Sequence, residues 1–210
     1  MSDVLKEIAE FLQKGKAKDC ADAVKKALDS GVSPSDVLNK GLIAGMDVVG
    51  TNFKDGKVFV PEVLVSARAM NKGVEVLKPY LSKAGVQPIG KAVICTVKGD
   101  LHDIGKNLVK LMVEGRGVEV TDLGADVPVE KMIETVKSTG ATVLLMSAML
   151  TTTITIMKDA VDALKAAGLK DKVKVMVGGS PINQNFCDSI GGDGYAADAA
   201  TAADVCRKFF

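Results

Sequence analysis

The chain has 210 residues, 47% of them hydrophobic, with 27 Lys and Arg against 26 Asp and Glu and a formal net charge of +1. This is enough apolar content for a sizeable core in one large domain or two small ones, and the scattered basic residues argue against a nucleic-acid footprint. No stretch is long and apolar enough to span a bilayer, and Met1-Ser2-Asp3-Val4-Leu5-Lys6-Glu7 lacks the basic-then-apolar pattern of a secretion signal. Cys20, Cys95, Cys187 and Cys206 show no CxxC spacing, so neither a zinc site nor a disulfide framework is suggested. The expectation is a reduced cytoplasmic protein with buried, inert cysteines.

Up to about Lys83 the apolar residues repeat at helical spacing. Val4, Leu5, Ile8, Phe11 and Leu12 form one stripe, and Ala21, Val24, Ala27 and Leu28 a second. Gly15 and Gly31 follow these runs, where a left-handed cap favours glycine. Ser33-Pro34 starts a third helix carrying Val37, Leu38, Leu42, Met46 and Val49 toward Phe53. After a break at Lys54-Asp55-Gly56-Lys57, a fourth runs from about Pro61 to Leu81. Four helices with short connections make a small bundle, with Met46, Phe53 and Phe59 as ordinary core candidates. Gly85-Val86-Gln87-Pro88-Ile89-Gly90 is the expected linker.

From Lys91 strands alternate with helices. Apolar runs at Ala92–Val97, Val118–Thr121, Thr142–Met146 and Val173–Val177 are separated by helical stretches at Gly105–Glu114, Val129–Ser138 and Thr152–Ala167. A fifth, weak strand is placed at Gly194-Tyr195-Ala196, followed by a helix from Ala199 to Lys208. The alternation predicts a parallel sheet with helices on both faces, so the class is α + α/β. In such sheets ligands bind beyond the carboxyl ends of the strands, at the switch point.

Three strand ends carry polar or glycine-rich segments: Gly99-Asp100-Leu101-His102-Asp103-Ile104-Gly105, Ser147-Ala148-Met149-Leu150-Thr151-Thr152-Thr153 and Gly178-Gly179-Ser180-Pro181. His102 is the only histidine. Imidazole serves near neutral pH as proton donor, acceptor or metal ligand. Neither a phosphate-binding loop nor GxGxxG follows the first strand, which weakens a nucleotide reading. A zinc enzyme needs several ligands. One histidine supplies a single axial bond to a metal already held in a macrocycle. On local grounds Asp103 caps the next helix, Asp100 partners His102, and Thr151–Thr153 start a helix.

Asp100-x-His102-x-x-Gly105, then Ser147-x-Met149, then Gly178-Gly179, resembles the cobalamin-binding signature DxHxxG…SxL…GG at closely matching separations. Met149 stands where the pattern has leucine, an apolar exchange of similar volume. Gly45-Met46-Asp47-Val48-Val49-Gly50 and the segment from Phe53 through Val60 to Glu62 resemble the helical cap of the same proteins. The resemblance covers essentially the whole chain. It is nearest in layout to the small corrinoid proteins of methanogens and acetogens, with the corrinoid module of methionine synthase a larger relative.

The resemblance implies a four-helix bundle cap over residues 1–88 and a flavodoxin-like, Rossmann-like five-stranded cobalamin-binding domain over 89–210. It implies cobalamin or a related corrinoid, cycling between methylcobalamin and Co(I), with its own benzimidazole displaced from cobalt and buried in the second domain. His102 takes the lower axial position in the six-coordinate state and releases in the four-coordinate one, with coupled protonation. Asp100 accepts a hydrogen bond from the other imidazole nitrogen, and Ser147 bonds Asp100. Gly99, Gly105, Gly178 and Gly179 leave room for the nucleotide tail. Thr151 and the segment from Tyr195 to Ala199 line its slot, and Asp103, Ile104 and Met149 complete the set. Phe53 and Val60 cover the methyl-bearing face, and the linker serves as a hinge.

By the same resemblance the partners are a substrate:corrinoid methyltransferase, a corrinoid:acceptor methyltransferase using tetrahydrofolate or coenzyme M, and a reductive activator, with neither nucleic acid nor membrane. The chain is then a methyl carrier without standalone activity. A cobalamin-sensing regulator is the alternative, although no helix-turn-helix with a basic face precedes the bundle. Mutases need a catalytic barrel absent from this chain, and a flavin or nucleotide module is a third reading. The donor, whether methanol, methylamine, betaine or an aryl methyl ether, is not written in these residues.

Overall fold

The computed structural model describes residues 3–210. They fall into two units, one running to Pro88 and grouped with Gly115–Gly117, the other made of Ile89–Glu114 and Val118–Phe210.

The first unit is helical because its apolar residues recur once per turn. α1 (Asp3–Gln13) buries Leu5, Ile8, Ala9 and Leu12, and α2 (Ala17–Asp29) buries Cys20, Ala23, Val24 and Ala27. Gly15 and Gly31 close them at φ of +66° and +84°. Ser33 accepts a hydrogen bond from the Asp36 amide and Pro34 occupies the first position of α3 (Pro34–Asp36). The single third helix expected from the sequence is instead compound: α3 passes into a π-helical segment (Val37–Ile43) and then α4 (Ala44–Lys54). A π turn takes in one residue more than an α turn, and here Val37, Gly41, Leu42 and Ile43 are all buried. α5 (Val60–Lys83) packs along α2. Leu12, Leu42, Met46 and Leu77 form the heart of this unit, whereas Phe59, expected in the core, is 66% exposed. Phe59 precedes α5, and its amide donates to Glu62 Oε2 at 3.0 Å, so it serves the helix start rather than the interior.

The second unit alternates β1 (Gly90–Thr96), α6 (Ile104–Glu114), β2 (Val118–Asp122), α7 (Val129–Thr139), β3 (Val143–Ser147), α8 (Thr155–Ala166), β4 (Lys174–Gly178), α9 (Gln184–Ile190), β5 (Gly194–Tyr195) and α10 (Ala199–Arg207). All strand pairs are parallel, in the order β2-β1-β3-β4-β5. α6 packs with α10 and α7 with α8, the two-sided cover that a buried parallel sheet requires. The sequence boundaries need three corrections. Gly90 opens β1 rather than closing a linker, because it pairs with Val118. α8 starts at Thr155 rather than Thr152, because residues 151–154 form a separate turn. α9, unforeseen, is only seven residues long, too short for a periodic signal, and starts where Asn183 accepts from the Phe186 amide.

Lys106 of α6 is 2% exposed, and its Nζ lies 2.5 Å from Asp122 Oδ1 at the end of β2. Lys110 approaches the same carboxylate at 3.5 Å, and the Gly124 amide donates to it at 2.9 Å. A buried ammonium persists only when paired in this way. The register places Thr96 opposite Ser147 and Ser147 opposite Gly178, so the ends of β1, β3 and β4 stand level. β1 leads outward to β2 while its other neighbour β3 leads to β4, which puts the switch point between β1 and β3.

Candidate functional site

The loop after β1 folds around Asp100, whose side chain is fully buried. Its Oδ1 accepts the His102 amide at 3.0 Å and lies 2.7 Å from His102 Nδ1. Its Oδ2 accepts the amides of Met149 at 2.6 Å and Leu150 at 3.2 Å, with Thr153 Oγ1 at 3.4 Å. Burial alone would raise the Asp100 pKa, but the backbone donors of Met149, His102 and Leu150 and the imidazole outweigh it and hold the carboxyl well below the usual range. An ionised Asp100 takes its hydrogen bond from Nδ1–H, which leaves the lone pair of the ring on Nε2.

His102 itself is 53% exposed at its side chain. The two loops that meet at Asp100 also expose Leu101, Ile104, Met149 and Leu150, the first two at 76% and 78%. Large apolar side chains left in water around an exposed imidazole suit a broad, partly apolar ligand. Among the described residues no group of three or more His, Cys, Asp or Glu could hold a bare metal ion. The loops therefore present the one imidazole nitrogen not taken by Asp100, Nε2, among exposed apolar side chains.

Several expected residues sit elsewhere than foreseen. Among the described residues Ser147 is not a partner of Asp100; its carbonyl accepts the Val97 amide at 3.0 Å, and the only side-chain hydroxyl on Asp100 belongs to Thr153. The reason is register, because the chain turns after β3 so that residues 149–153, rather than 147, close over the carboxylate. Asp103 stands at the start of α6, but its carboxylate takes the Asn107 side-chain amide at 3.1 Å instead of capping a backbone donor. Thr151 lies exposed in the turn before α8.

Gly179 has a structural duty. Its φ is +123°, and an added Cβ would fall 1.8 Å from the Ala148 carbonyl oxygen, so the β4 loop can pass the β3 loop only as glycine. Gly105 has no heavy atom within 4 Å of such a Cβ, and Gly178 only the Ala196 oxygen at 3.7 Å, so both open onto free space. At Gly99, with φ +83°, an added Cβ would fall 3.3 Å from Thr153 Cγ2. Tyr195 is half-buried in β5, and Ala199 is buried at the start of α10. In the helical unit Phe53 is half-buried and Val60 is 37% exposed.

Two residues that the sequence reading passed over, Thr96 and Asp126, and one read there only as a helix start, Thr153, also belong to this loop system. Thr96 Oγ1 donates to the His102 carbonyl at 3.1 Å, Asp126 Oδ1 accepts the Gly99 amide at 2.7 Å, and Thr153 reaches Asp100. The threonine run was visible, but which hydroxyl turned inward was not. Asp126 is brought in by sheet pairing and carries no local signal. The cysteines are free and buried, and burial pushes the thiols of Cys20, Cys95 and Cys206 up to about 12.

The B12 binding domain family matches residues 90–204, and a second B12 binding domain family matches residues 4–78. The dimethylamine corrinoid protein 3 of Methanosarcina acetivorans is 42% identical over 99% of both chains. The dimethylamine corrinoid protein of Methanosarcina barkeri is 43% identical over 98% of this chain and 97% of its own. Among solved structures, the methanol:cobalamin methyltransferase complex of Methanosarcina barkeri superposes at a TM-score of 0.89 with 32% identity, covering 99% of this chain and 79% of that one. A cobalamin-binding protein of Desulfitobacterium hafniense gives 0.83 at 32% identity with complete coverage of both. The chain thus belongs to the B12-binding family, and within it to the corrinoid proteins of methyltransferase systems. Its cofactor is cobalamin or a related corrinoid. No described helix is long and apolar enough to cross a membrane.

Proposed function

We propose that this chain carries a methyl group on a bound corrinoid between two methyltransferases, one that loads it from a donor and one that passes it to an acceptor. The observation that carries the reading is the lone imidazole fixed through Nδ1 by a buried, ionised Asp100 at the switch point of the sheet. When bound, the corrinoid supplies the cobalt that accepts and gives up the methyl group. His102 holds that cobalt through Nε2, and Asp100 keeps the ring proton on Nδ1 and the ring in one orientation. The open space at Gly105 and Gly178 admits the nucleotide tail, with Gly99, Gly179, Thr151, Tyr195 and Ala199 along its slot and Asp103, Ile104 and Met149 around the ring. Residues 1–88 form the cap, in which Phe53 and Val60 shelter the methyl-bearing face from water and oxidants.

Relatives named for dimethylamine and trimethylamine favour a methylated amine as donor. The chain works in the cytoplasm and is returned to activity by a reductive activator after stray oxidation. The sensing alternative is not favoured, since relatives that match end to end are named corrinoid proteins. The test is reconstitution of the full chain with hydroxocobalamin, comparing wild type with His102→Ala. A changed absorption spectrum and slowed methyl transfer are expected; identical spectra and equal rates would remove the ligand assignment.

A further inference from the structure

We propose that Thr96 and Asp126 are positioning residues that fix where the His102 ring can go, an inference resting on the reading of His102 as the cobalt ligand. Neither touches the imidazole. Thr96, the last residue of β1, is fully buried, and its hydroxyl donates to the His102 carbonyl at 3.1 Å. Its own main chain is locked from the other side, because its amide donates to the Gly124 carbonyl at 2.9 Å and its carbonyl accepts the Val127 amide at 3.1 Å. Asp126 is the only non-glycine residue with positive φ, +55°, among the described residues. That conformation aims both its polar groups at the histidine loop: Oδ1 accepts the Gly99 amide at 2.7 Å and its amide donates to the Asp100 carbonyl at 3.0 Å.

The result is a mount with a fixed pivot. The His102 amide is held by Asp100 Oδ1 and its carbonyl by Thr96 Oγ1, so the Cα that carries the ring is pinned on both sides. Asp100, which sets the ring's rotation, is itself held through its main chain by Asp126. Ligand nitrogens must sit within roughly 0.5 Å of their working position, a tolerance that a free surface loop does not meet. The segment after β2 is therefore the second arm of the ligand mount.

The experiment uses the full chain with Thr96→Val and Thr96→Ser, and Asp126→Gly and Asp126→Asn. Glycine removes the carboxylate while easing φ +55°, so a loss there is not strain; serine and asparagine keep the hydroxyl or the acceptor. In the unloaded chain, hydrogen exchange of residues 97–104 should quicken roughly three- to tenfold in the valine and glycine variants, the worth of one hydrogen bond, and stay near wild type in the other two. With hydroxocobalamin, the valine and glycine variants should shift in absorbance toward His102→Ala, with serine and asparagine restoring the wild-type spectrum. Wild-type exchange together with a wild-type spectrum in both Thr96→Val and Asp126→Gly overturns the proposal. If His102→Ala itself leaves the spectrum unchanged, the ligand reading fails, and exchange alone then decides the mount. Asp126 is exposed, so Asp126→Gly carries the decision if the buried Thr96→Val does not fold.

Discussion

Replacing Asp100 by asparagine tests the heart of the site with almost no change in shape. The carboxylate is fully buried and receives the His102 amide and Nδ1 on one oxygen and the Met149 and Leu150 amides on the other. Asparagine keeps one oxygen and puts an NH2 in place of the other, so in either flip a donor faces donors. If the NH2 faces Met149 and Leu150, two hydrogen bonds to a charged group are lost, each contributing about 1.5–3 kcal/mol. Water reaches both half-exposed residues and offsets part of this, leaving a net cost of about 3 kcal/mol. For a chain of this size that lowers the Tm by about 6–12 °C. If the NH2 faces His102 instead, the ring must move its proton to Nε2, and the nitrogen proposed to bind cobalt loses its lone pair. Thermal unfolding of the unloaded chain followed by circular dichroism reads the first effect, and the spectrum of the reconstituted variant reads the second. A Tm within about 2 °C of wild type, together with a wild-type spectrum, would refute the reasoning.

The remaining predictions concern the surrounding framework. Gly179→Ala forces a Cβ to within 1.8 Å of the Ala148 oxygen at φ +123°, so it should destabilise by about 3 kcal/mol or more; an unchanged urea midpoint would show that the two loops yield freely. Asp122→Leu strands the buried Lys106 and should cost about 3–5 kcal/mol, more than Lys106→Met, which leaves Asp122 with Lys110 and the Gly124 amide; the reverse ranking of urea midpoints would be evidence against the pairing. Burial pushes the carboxyls of Asp122 and Asp193 up, but Lys106 and the Gly124 amide, and Lys170 and the Val175 amide, bring both below their usual values. Stability from these two groups is therefore fully present above about pH 4 and is lost as pH falls through their lowered folded-state values. Asp193→Asn should flatten that acid limb in urea titrations, and a limb of wild-type steepness would count against it.

The β/α alternation was legible chiefly because the central strands β1, β3 and β4 are largely buried and read as apolar runs. Ala92–Val97 and Val173–Val177 fell within a residue or two of β1 and β4 for that reason. The π-helical segment was not legible, since Val37, Leu42 and Met46 fit a regular helix equally well and only the packing of α1 reveals the wide turn. At the site, Asp100 and His102 stand two residues apart, so their pairing could be read locally. The other contacts of the Asp100 carboxylate come from residues 49–53 positions away, and which of Ser147, Thr151 and Thr153 turns its hydroxyl inward depends on how the chain leaves β3. Asp126 was invisible for the same cause, since its partner Gly99 is 27 residues distant.

The buried carboxylate of Asp100 has a consequence for anyone recombining such proteins. It is the knot joining the loop after β1 to the loop after β3, while Asp126 ties in the loop after β2. Residues 97–104 are therefore not a portable cassette. Transplanting them into a chain that lacks the Asp126 carboxylate and the Thr153 hydroxyl would leave the Gly99 amide and Asp100 Oδ2 each one side-chain partner short, whereas the three segments moved together keep both.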